Sequence, residues 1–364
     1  MNLFELINEL ESVAPLQFQE DYDNCGLLTG NKTWDVKGVL LSLDCTEEVI
    51  NEAINTNCNV IVAHHPVIFT GLKKLNGNSF VERTIIKAIQ HNIAIYACHT
   101  NLDNIQLGVN QKIAQKLGLT NCKILAPKSN LLRKLVTYVP ESHHEKVLNA
   151  LFAAGAGNIG NYDSCSFNTT GIGTYKGNEN STPFLGEKNQ LSKENEIKIE
   201  MVFESHKENQ VLNAMLKTHP YEEVAFDIYS INNKYSQVGS GMIGEFDTPL
   251  TEIAFLQHVK DVFRTPIIKH TRLMNKPIQK VAICGGSGRF LLKNAIQAGA
   301  DAFITADFKY HDYFEVDNRL LLLDIGHYES EQFTPEIFYD IINKKFPTFA
   351  IRLSKINTNP ISCF

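Results

Sequence analysis

Two adjacent histidines, His64 and His65, follow the apolar segment VIVA at 60–63 and precede Pro66. Neighbouring side chains of a regular strand point to opposite faces, so two adjacent imidazoles reach one region only where the strand has ended. Pro66 favours an extended conformation of His65. Open parallel sheets bind ligands at the carboxyl ends of their strands. The pair is therefore interpreted either as ligands of two different metal ions or as two partly buried histidines.

Two further groups lie at predicted strand ends. Asp103 follows the next apolar segment, IAIYACH, and is expected at the same edge of the sheet. His327 and Glu331 open a helix after the segment RLLLLDI, and their spacing places them on one face of that helix. A histidine and a carboxylate at this spacing commonly bind metal. Alone, Asp103 also fits a turn residue, and the other pair also fits an exposed first helical turn.

Together these groups indicate a dinuclear metal centre. Three imidazoles and two carboxylates exceed the needs of one tetrahedral ion with an open position. They suit two divalent ions about 3.5–4 Å apart that share a bridging carboxylate, for which Glu331 is the best candidate. Such ligands accept Zn, Mn, Fe, Co or Ni, so the sequence leaves the metal open. The predicted ligands are His64, His65, Asp103, His327 and Glu331.

The elements that position these residues alternate at both ends of the chain. Apolar segments alternate with amphipathic ones over 36–118 and again over 251–353, which predicts parallel sheets with helices on their faces. The middle of the chain follows the order β-α-β-β-α-β, the ferredoxin-like pattern. The sequence therefore predicts an α/β core in two halves, 1–127 and 241–364, interrupted by a ferredoxin-like domain inserted at 128–240.

Composition argues against nucleic-acid and membrane partners. The net charge of −6 comes without a dense stripe of lysine and arginine. No segment approaches the roughly 20 apolar residues of a membrane span. The N-terminus, MNLFELINELESVAP, predicts an amphipathic helix and lacks the pattern of an export signal, so a cytoplasmic location is expected. The 8 cysteines form no CxxC pair and are expected to be reduced and buried.

Four motifs show a resemblance to a known family. The sequence resembles the NIF-three-like family, often named GTP cyclohydrolase 1 type 2 homologues, in DYDNCGLLTG (21–30), VIVAHHPVIF (60–69), ACHTNLD (97–103) and GHYESE (326–331). The central THPYEEVAFDIY (218–229) resembles the insert of the longer bacterial members, which is similar to PII and CutA-like proteins. The resemblance covers essentially the whole chain. One departure is Tyr22, where the family often carries Trp.

The resemblance also implies a ligand arrangement and an assembly. His65, Asp103 and Glu331 are implied to hold one ion, and His64, His327 and Glu331 the other. The chains are implied to assemble as toroidal homohexamers whose metal sites face an inner cavity.

The family name implies a purine nucleotide as the small-molecule substrate. The expected chemistry is opening of the GTP ring by metal-activated water, with release of formate; phosphoester hydrolysis is a close variant. His99 and His311 are candidates for moving protons, although each also fits an ordinary polar residue near the end of an element. The alternative function is a non-catalytic metal-binding hexameric scaffold, or a metal-handling or regulatory protein. No general base beyond the ligands is evident from the sequence, which favours that alternative.

Two segments carry weaker signals. The turn CGGSGR at 284–289 lies between a predicted strand and helix, where Gly286, Gly288 and Arg289 could bind an anion. A tight strand–helix turn explains the same residues. The segment HPYEE at 219–223 could bind an effector or form a loop before a strand.

Overall fold

The computed structural model describes residues 1–364 and divides the chain into two compact units. The first unit comprises Met1–Pro127 and Gln237–Phe364, and the second comprises Lys128–Ser236. The inserted segment thus ends at Ser236, whereas the sequence analysis placed its end at 240. The end differs because a long strand, Tyr235–Leu250, begins at this point and continues into a sheet of the first unit.

The first unit contains two sheets and nine helices. Its strands are β1 (Gly26–Thr29), β2 (Val39–Ser42), β3 (Val60–Ala63), β4 (Ala94–Ala97), β5 (Thr120–Lys128), β10 (Tyr235–Leu250), β11 (Lys269–His270), β12 (Ile278–Ser287), β13 (Ala302–Ala306), β14 (Leu321–Asp324) and β15 (Ile351–Leu353). Its helices are α1 (Leu3–Val13), α2 (Glu47–Asn55), α3 (Phe80–Gln90), α4 (Thr100–Asp103), α5 (Val109–Leu117), α8 (Glu252–Phe263), α9 (Leu292–Gln297), α10 (His327–Glu331) and α11 (Thr334–Lys345).

The first sheet has the strand order β1-β4-β3-β2-β15. Strands β15, β2, β3 and β4 are parallel, and β1 is antiparallel at one edge. Every residue of β2, β3 and β4 is buried. A parallel strand covered on both faces has no polar side, which explains the unbroken apolar segments of the sequence. Thr46 caps α2 as its sequence position predicts, because its hydroxyl accepts from the Val49 amide.

The second sheet has the strand order β11-β14-β13-β12-β10-β5. Strands β12, β13 and β14 are parallel, and β10 and β11 are antiparallel to their neighbours. The predicted α/β fold is confirmed. The antiparallel strands beside the parallel centres of both sheets were not predicted.

The helix that His327 opens is short: α10 ends at Glu331, and a second helix, α11, begins after Gln332 and Phe333. Pro335 lies in the first turn of α11, where its missing N–H costs no hydrogen bond, so it favours a new helix start. As a result His327 and Glu331 share a short helix of 5 residues directly after β14.

The second unit contains β6 (Leu132–Pro140), α6 (His144–Ala153), β7 (Phe167–Lys176), β8 (Leu191–Glu204), α7 (Glu208–Thr218) and β9 (Phe226–Ile231). The four strands form one antiparallel sheet in the order β7-β8-β6-β9. The core of this unit joins the sheet to both helices through residues such as Leu135, Ile199, Leu151 and Val211.

Two features concern the chain as a whole. None of its helices combines the length and the apolar character needed to cross a membrane. All the cysteines are free thiols. Cys45, Cys58, Cys98 and Cys284 are buried as expected, whereas Cys363 is exposed.

We expect Gly108→Ala to lower the free energy of unfolding by about 2 kcal/mol or more. Gly108 caps the N-terminus of α5, and an added Cβ atom would lie 1.7 Å from the carbonyl oxygen of Leu102. Gly71→Ala is the control, because no heavy atom lies within 4 Å of a Cβ at that position. Urea unfolding measures both; equal stability of the two variants would contradict this account of the turn.

Candidate metal centre

The adjacent histidines lie just beyond strand β3, which ends at Ala63. The amide groups of His64 and His65 both donate to the carbonyl oxygen of Leu43, at 3.0 Å each. The chain therefore leaves the regular strand here, and the two ring centroids lie 4.9 Å apart. His64 is fully buried, and its Nδ1 atom lies 2.9 Å from the carbonyl oxygen of Cys98. That hydrogen bond leaves the Nε2 atom of His64 available to the centre.

Glu331 is the residue around which the other groups gather. Its side chain is 3% exposed, and its Oε2 atom lies 3.0 Å from Nε2 of His65 and 3.2 Å from Nε2 of His327. Nε2 of His64 lies 3.9 Å from the same oxygen and 3.6 Å from Oδ1 of Asp103. The structure thus brings all five predicted ligands together, from the ends of β3 and β14 and from helix α4.

The carboxylate and the imidazoles of the centre shift one another's pKa values. Burial raises the pKa of Glu331, but hydrogen bonds from the surrounding histidines outweigh it and hold that pKa well below its usual range. Burial lowers the pKa of His65, yet hydrogen bonds to Asp44 and Glu331 raise it to about 10. Burial also lowers the pKa of His327, but hydrogen bonds to Asp307 and Glu331 raise it to about 11. The buried carboxylate therefore requires positive charge beside it, which a divalent cation can supply in place of protons.

Each ligand histidine is oriented through its other ring nitrogen. The Nδ1 atom of His65 lies 2.7 Å from Oδ1 of Asp44, and that of His327 lies 2.6 Å from Oδ2 of Asp307. Such acceptors fix the tautomer of a metal ligand and the direction of its free lone pair. The sequence analysis missed both aspartates. Asp44 and Asp307 follow the buried strands β2 and β13, so their place at strand carboxyl ends was the available signal.

Two buried polar atoms of the centre have no hydrogen-bond partner. They are Nε2 of His64 and Oδ1 of Asp103, which lie 3.6 Å apart. Leaving buried polar atoms unpaired is costly, and native structures rarely do so without a reason. A cation bound between the two atoms would satisfy both. The residues present therefore fit a divalent metal by their donor chemistry and by these two unpaired atoms.

The ligand atoms form two sets that share Glu331. One set is His64, Asp103 and Glu331, and the other is His65, His327 and Glu331; within each set the atoms lie within 4.8 Å of one another. The family resemblance implied the opposite distribution of the two adjacent histidines. The structure differs because Nε2 of His64 faces Asp103, whereas the rings of His65 and His327 lie 5.3 Å apart. Glu331 belongs to both sets in either distribution.

His99, one of the two predicted proton carriers, lies beside the centre. Its ring centroid is 5.1 Å from that of His64 and 5.3 Å from that of His65. Its Nδ1 atom lies 2.9 Å from Oδ1 of Asp23. The other oxygen of Asp23, Oδ2, accepts from the amide of Thr100. Burial raises the pKa of Asp23, but the hydrogen bonds from His99 and Thr100 lower it far more. The ionised Asp23 therefore keeps the proton of His99 on Nδ1 and leaves Nε2 able to accept another.

His311, the other predicted proton carrier, is not brought to the centre. It lies exposed on the 3-10 helix Tyr310–Val316, where its ring contacts Tyr310 and Phe314 at centroid distances of 5.2 and 6.4 Å. It is absent from the residues that line the cavity around the ligands.

The anion-binding site expected in the glycine-rich turn at 284–289 is not formed. The amide of Gly286 donates to Oγ of Ser330 and that of Gly288 to Oγ1 of Thr305, each at 2.9 Å. Arg289 forms ion pairs of 2.5 Å each with the carboxylates of Asp312 and Glu315, which lie on the 3-10 helix Tyr310–Val316. These donors are therefore used within the fold, as in the alternative of a tight strand–helix turn.

Four of the five predicted ligands, His65, Asp103, His327 and Glu331, line a cavity of about 460 Å³. This volume is typical of a site for a small molecule. Three aromatic lining residues are largely exposed: Tyr22 at 64%, Phe69 at 48% and Phe290 at 62%. Aromatic faces of this kind stack on planar rings. The cavity therefore combines candidate metal ligands with exposed aromatic surface.

Comparison with known proteins identifies relatives over nearly the whole chain. A family model described as Duf34/NIF3 (NGG1p interacting factor 3) matches residues 1–360. A Staphylococcus epidermidis protein named GTP cyclohydrolase 1 type 2 homolog is 36% identical over 368 residues, with 99% of each chain covered. A Halalkalibacterium halodurans protein of the same name is 39% identical over 324 residues, covering 88% of this chain and 87% of its own. The crystal structure of a Bacillus cereus protein related to NIF3 superposes with a TM-score of 0.87 at 36% identity, covering 100% of this chain and 99% of the other.

We expect a chelator to lower the melting temperature of the purified protein and added Zn²⁺ or Mn²⁺ to raise it. A metal at 100 times its dissociation constant stabilises the folded state by about 2.7 kcal/mol, and it would satisfy the unpaired atoms of His64 and Asp103. Differential scanning fluorimetry measures the shift. The Asp103→Asn variant should lose most of the response and the control His311→Ala should retain it; an equal response in both would contradict metal binding at this centre.

Proposed function

Because this chain belongs to the Duf34/NIF3 family, we propose that it binds two divalent metal ions and acts as a metal-dependent hydrolase of a purine nucleotide. The concrete reaction is opening of the GTP ring with release of formate. The observation that carries the proposal is the convergence of three imidazole nitrogens on one buried oxygen of Glu331, beside the unpaired oxygen of Asp103. The names of the relatives support the same reaction.

In this proposal His64 and Asp103 hold one ion, His65 and His327 hold the other, and Glu331 bridges them. Two such ions, when bound, supply Lewis-acid activation of substrate and water. The ligand set suits Zn, Mn, Fe, Co or Ni. Three protein ligands per ion leave coordination positions open for substrate, as in catalytic sites.

His99 moves the protons in the proposed reaction. Addition of water at C8 of the purine breaks a ring C–N bond, and a second water releases C8 as formate. The first step leaves C8 as a formamide, and the second hydrolyses that formamide; in each step water gives up a proton and the nitrogen that leaves C8 receives one. His99 is suited to this transfer because Asp23 keeps its Nδ1 proton in place, so Nε2 can accept a proton and return it. Tyr22 and Phe69 provide ring surface beside which the base can stack.

We also propose a ferredoxin-like, PII/CutA-like class for the second unit, a toroidal homohexameric assembly and a cytoplasmic location. The class of the second unit is supported by the element order β6-α6-β7-β8-α7-β9 and by the sheet order β7-β8-β6-β9. The assembly rests on the family resemblance.

The primary test compares Glu331→Gln with wild type for metal content and for formate release from GTP. We expect about two ions per wild-type chain. The variant should lose at least one ion and its formate release, because an amide oxygen cannot bridge two cations as a carboxylate does. Glu336→Gln is the matched control, since Glu336 pairs with Lys112 and Lys116 outside the centre. Retention of both ions by Glu331→Gln would contradict the bridging role. Wild type that holds two ions and releases no formate would favour the alternative of a non-catalytic scaffold.

A second test concerns His99. We expect His99→Gln to keep its metal content and to lower kcat for formate release by about 100-fold or more, with a smaller change in KM. His311→Gln should match wild type, because its side chain lies outside the cavity. Metal analysis and steady-state kinetics on the same samples measure both effects. Loss of metal in His99→Gln would instead identify His99 as a ligand, since it forms a third set of close donors with His64 and His65.

A further inference from the structure

The second unit contains a cavity of about 900 Å³ that the proposed reaction does not use. Strand β7 and the segment that follows it provide much of its lining, together with β8 and the loop after α7. The side chains that matter here are those of Tyr138, Tyr175, Phe184, Glu196 and Tyr221. Tyr221, Glu222 and Glu223 also line it, and they belong to the segment HPYEE at 219–223, a possible effector site by its sequence.

The carboxylate of Glu196 is buried among these residues, with 8% of the residue exposed. Its Oε1 atom accepts a hydrogen bond of 2.7 Å from the hydroxyl of Tyr221. The carboxylate lies directly against Gly173, where a Cβ atom would be 2.0 Å from Oε2. A side chain at position 173 would therefore displace the carboxylate, and the glycine gives it room.

Glu196 forms no ion pair with any lysine, arginine or histidine of the chain. Lys198, which lines the same cavity, is paired with Glu200 at 3.0 Å. An ionised carboxylate can accept about four hydrogen bonds, and Glu196 receives one. A buried carboxylate that lacks an ion pair and accepts only one hydrogen bond is stabilised by a cation that carries N–H donors.

Aromatic rings surround the position that such a cation would occupy. The ring centroid of Tyr221 lies 5.9 Å from that of Tyr175 and 6.4 Å from that of Phe184. The hydroxyl of Tyr175 donates to the carbonyl oxygen of Leu185 at 2.9 Å, which fixes this ring beside the cavity. The faces of aromatic rings attract organic cations, and the attraction grows when the cation is desolvated.

We propose that this cavity binds a small organic cation with N–H donors, a guanidinium or primary ammonium compound. The Glu196 carboxylate accepts its hydrogen bonds, and the rings of Tyr175, Tyr221 and Phe184 contact its face. Glu196 is the only buried charged residue of the lining, which favours a cation over an anion at this position, whereas Lys176 and Lys198 lie on the more exposed part of the lining. The second unit is thereby a ligand-binding domain whose ligand differs in charge from the substrate proposed for the metal centre.

The test is isothermal titration of the full-length protein with butylguanidinium, butylammonium and butylurea. Butylurea has nearly the shape of butylguanidinium and no charge. We expect saturable binding of at least one cation at one site per chain, and binding of butylurea at least about tenfold weaker. Equal binding of butylurea and butylguanidinium, or binding of neither cation, would overturn the proposal.

Variants identify the site. Glu196→Gln should weaken cation binding by about tenfold or more, and Tyr175→Leu should weaken it several-fold. Glu208→Gln, an acid at the start of α7 that does not line the cavity, should bind as wild type does. Unchanged binding by both Glu196→Gln and Tyr175→Leu would place the cation elsewhere and overturn the proposal. Because Tyr175 is partly exposed, its variant serves even where Glu196→Gln fails to fold.

Discussion

The burial of one carboxylate, that of Glu331, constrains the first unit more than any other interaction. A carboxylate with 3% exposure needs positive charge and hydrogen-bond donors within contact distance. Three histidines from two distant parts of the chain meet this need. Their orientation depends in turn on Asp44, Asp307 and the carbonyl oxygen of Cys98. The ends of β3, β4 and β14 must therefore approach one another.

The glycine-rich turn after β12 is explained by the same carboxylate. A Cβ atom at Gly286 would lie 2.5 Å from Oε1 of Glu331, and the positive φ of 59° at this residue also favours glycine. A Cβ atom at Gly285 would lie 3.3 Å from Cγ of Glu331. The turn is thus built to admit the Glu331 side chain, and its amides bond to side chains of the fold. Gly286, which suggested an anion site in the sequence, thus has a steric role beside Glu331, whereas a Cβ atom at Gly288 would meet Thr305 and Cys284.

Sequence reasoning could predict what depends on local pattern. The α/β class followed from strands that are apolar throughout, and the convergence of His64, His65 and Asp103 followed from the carboxyl ends of parallel strands. It could not predict which of the adjacent histidines faces Asp103, because ring direction depends on the Cys98 carbonyl, a contact between strands. Neither His311 nor the Arg289 anion site could be excluded from the sequence, because tertiary packing decides that His311 lies outside the cavity and that two carboxylates bind Arg289. Asp44 and Asp307 were accessible to the strand-end argument.

The two units surround a buried carboxylate with different side chains, and these neighbours determine which kind of cation the carboxylate favours. Glu331 lies among imidazoles, whose nitrogens offer lone pairs to a metal ion when the ion displaces their protons. Glu196 lies among phenol rings, which offer one hydroxyl donor and apolar faces but no lone pair of comparable affinity for a transition metal. The first environment favours an inorganic cation and the second an organic one. Ligand class in both units thus follows from which neighbours accompany the same functional group.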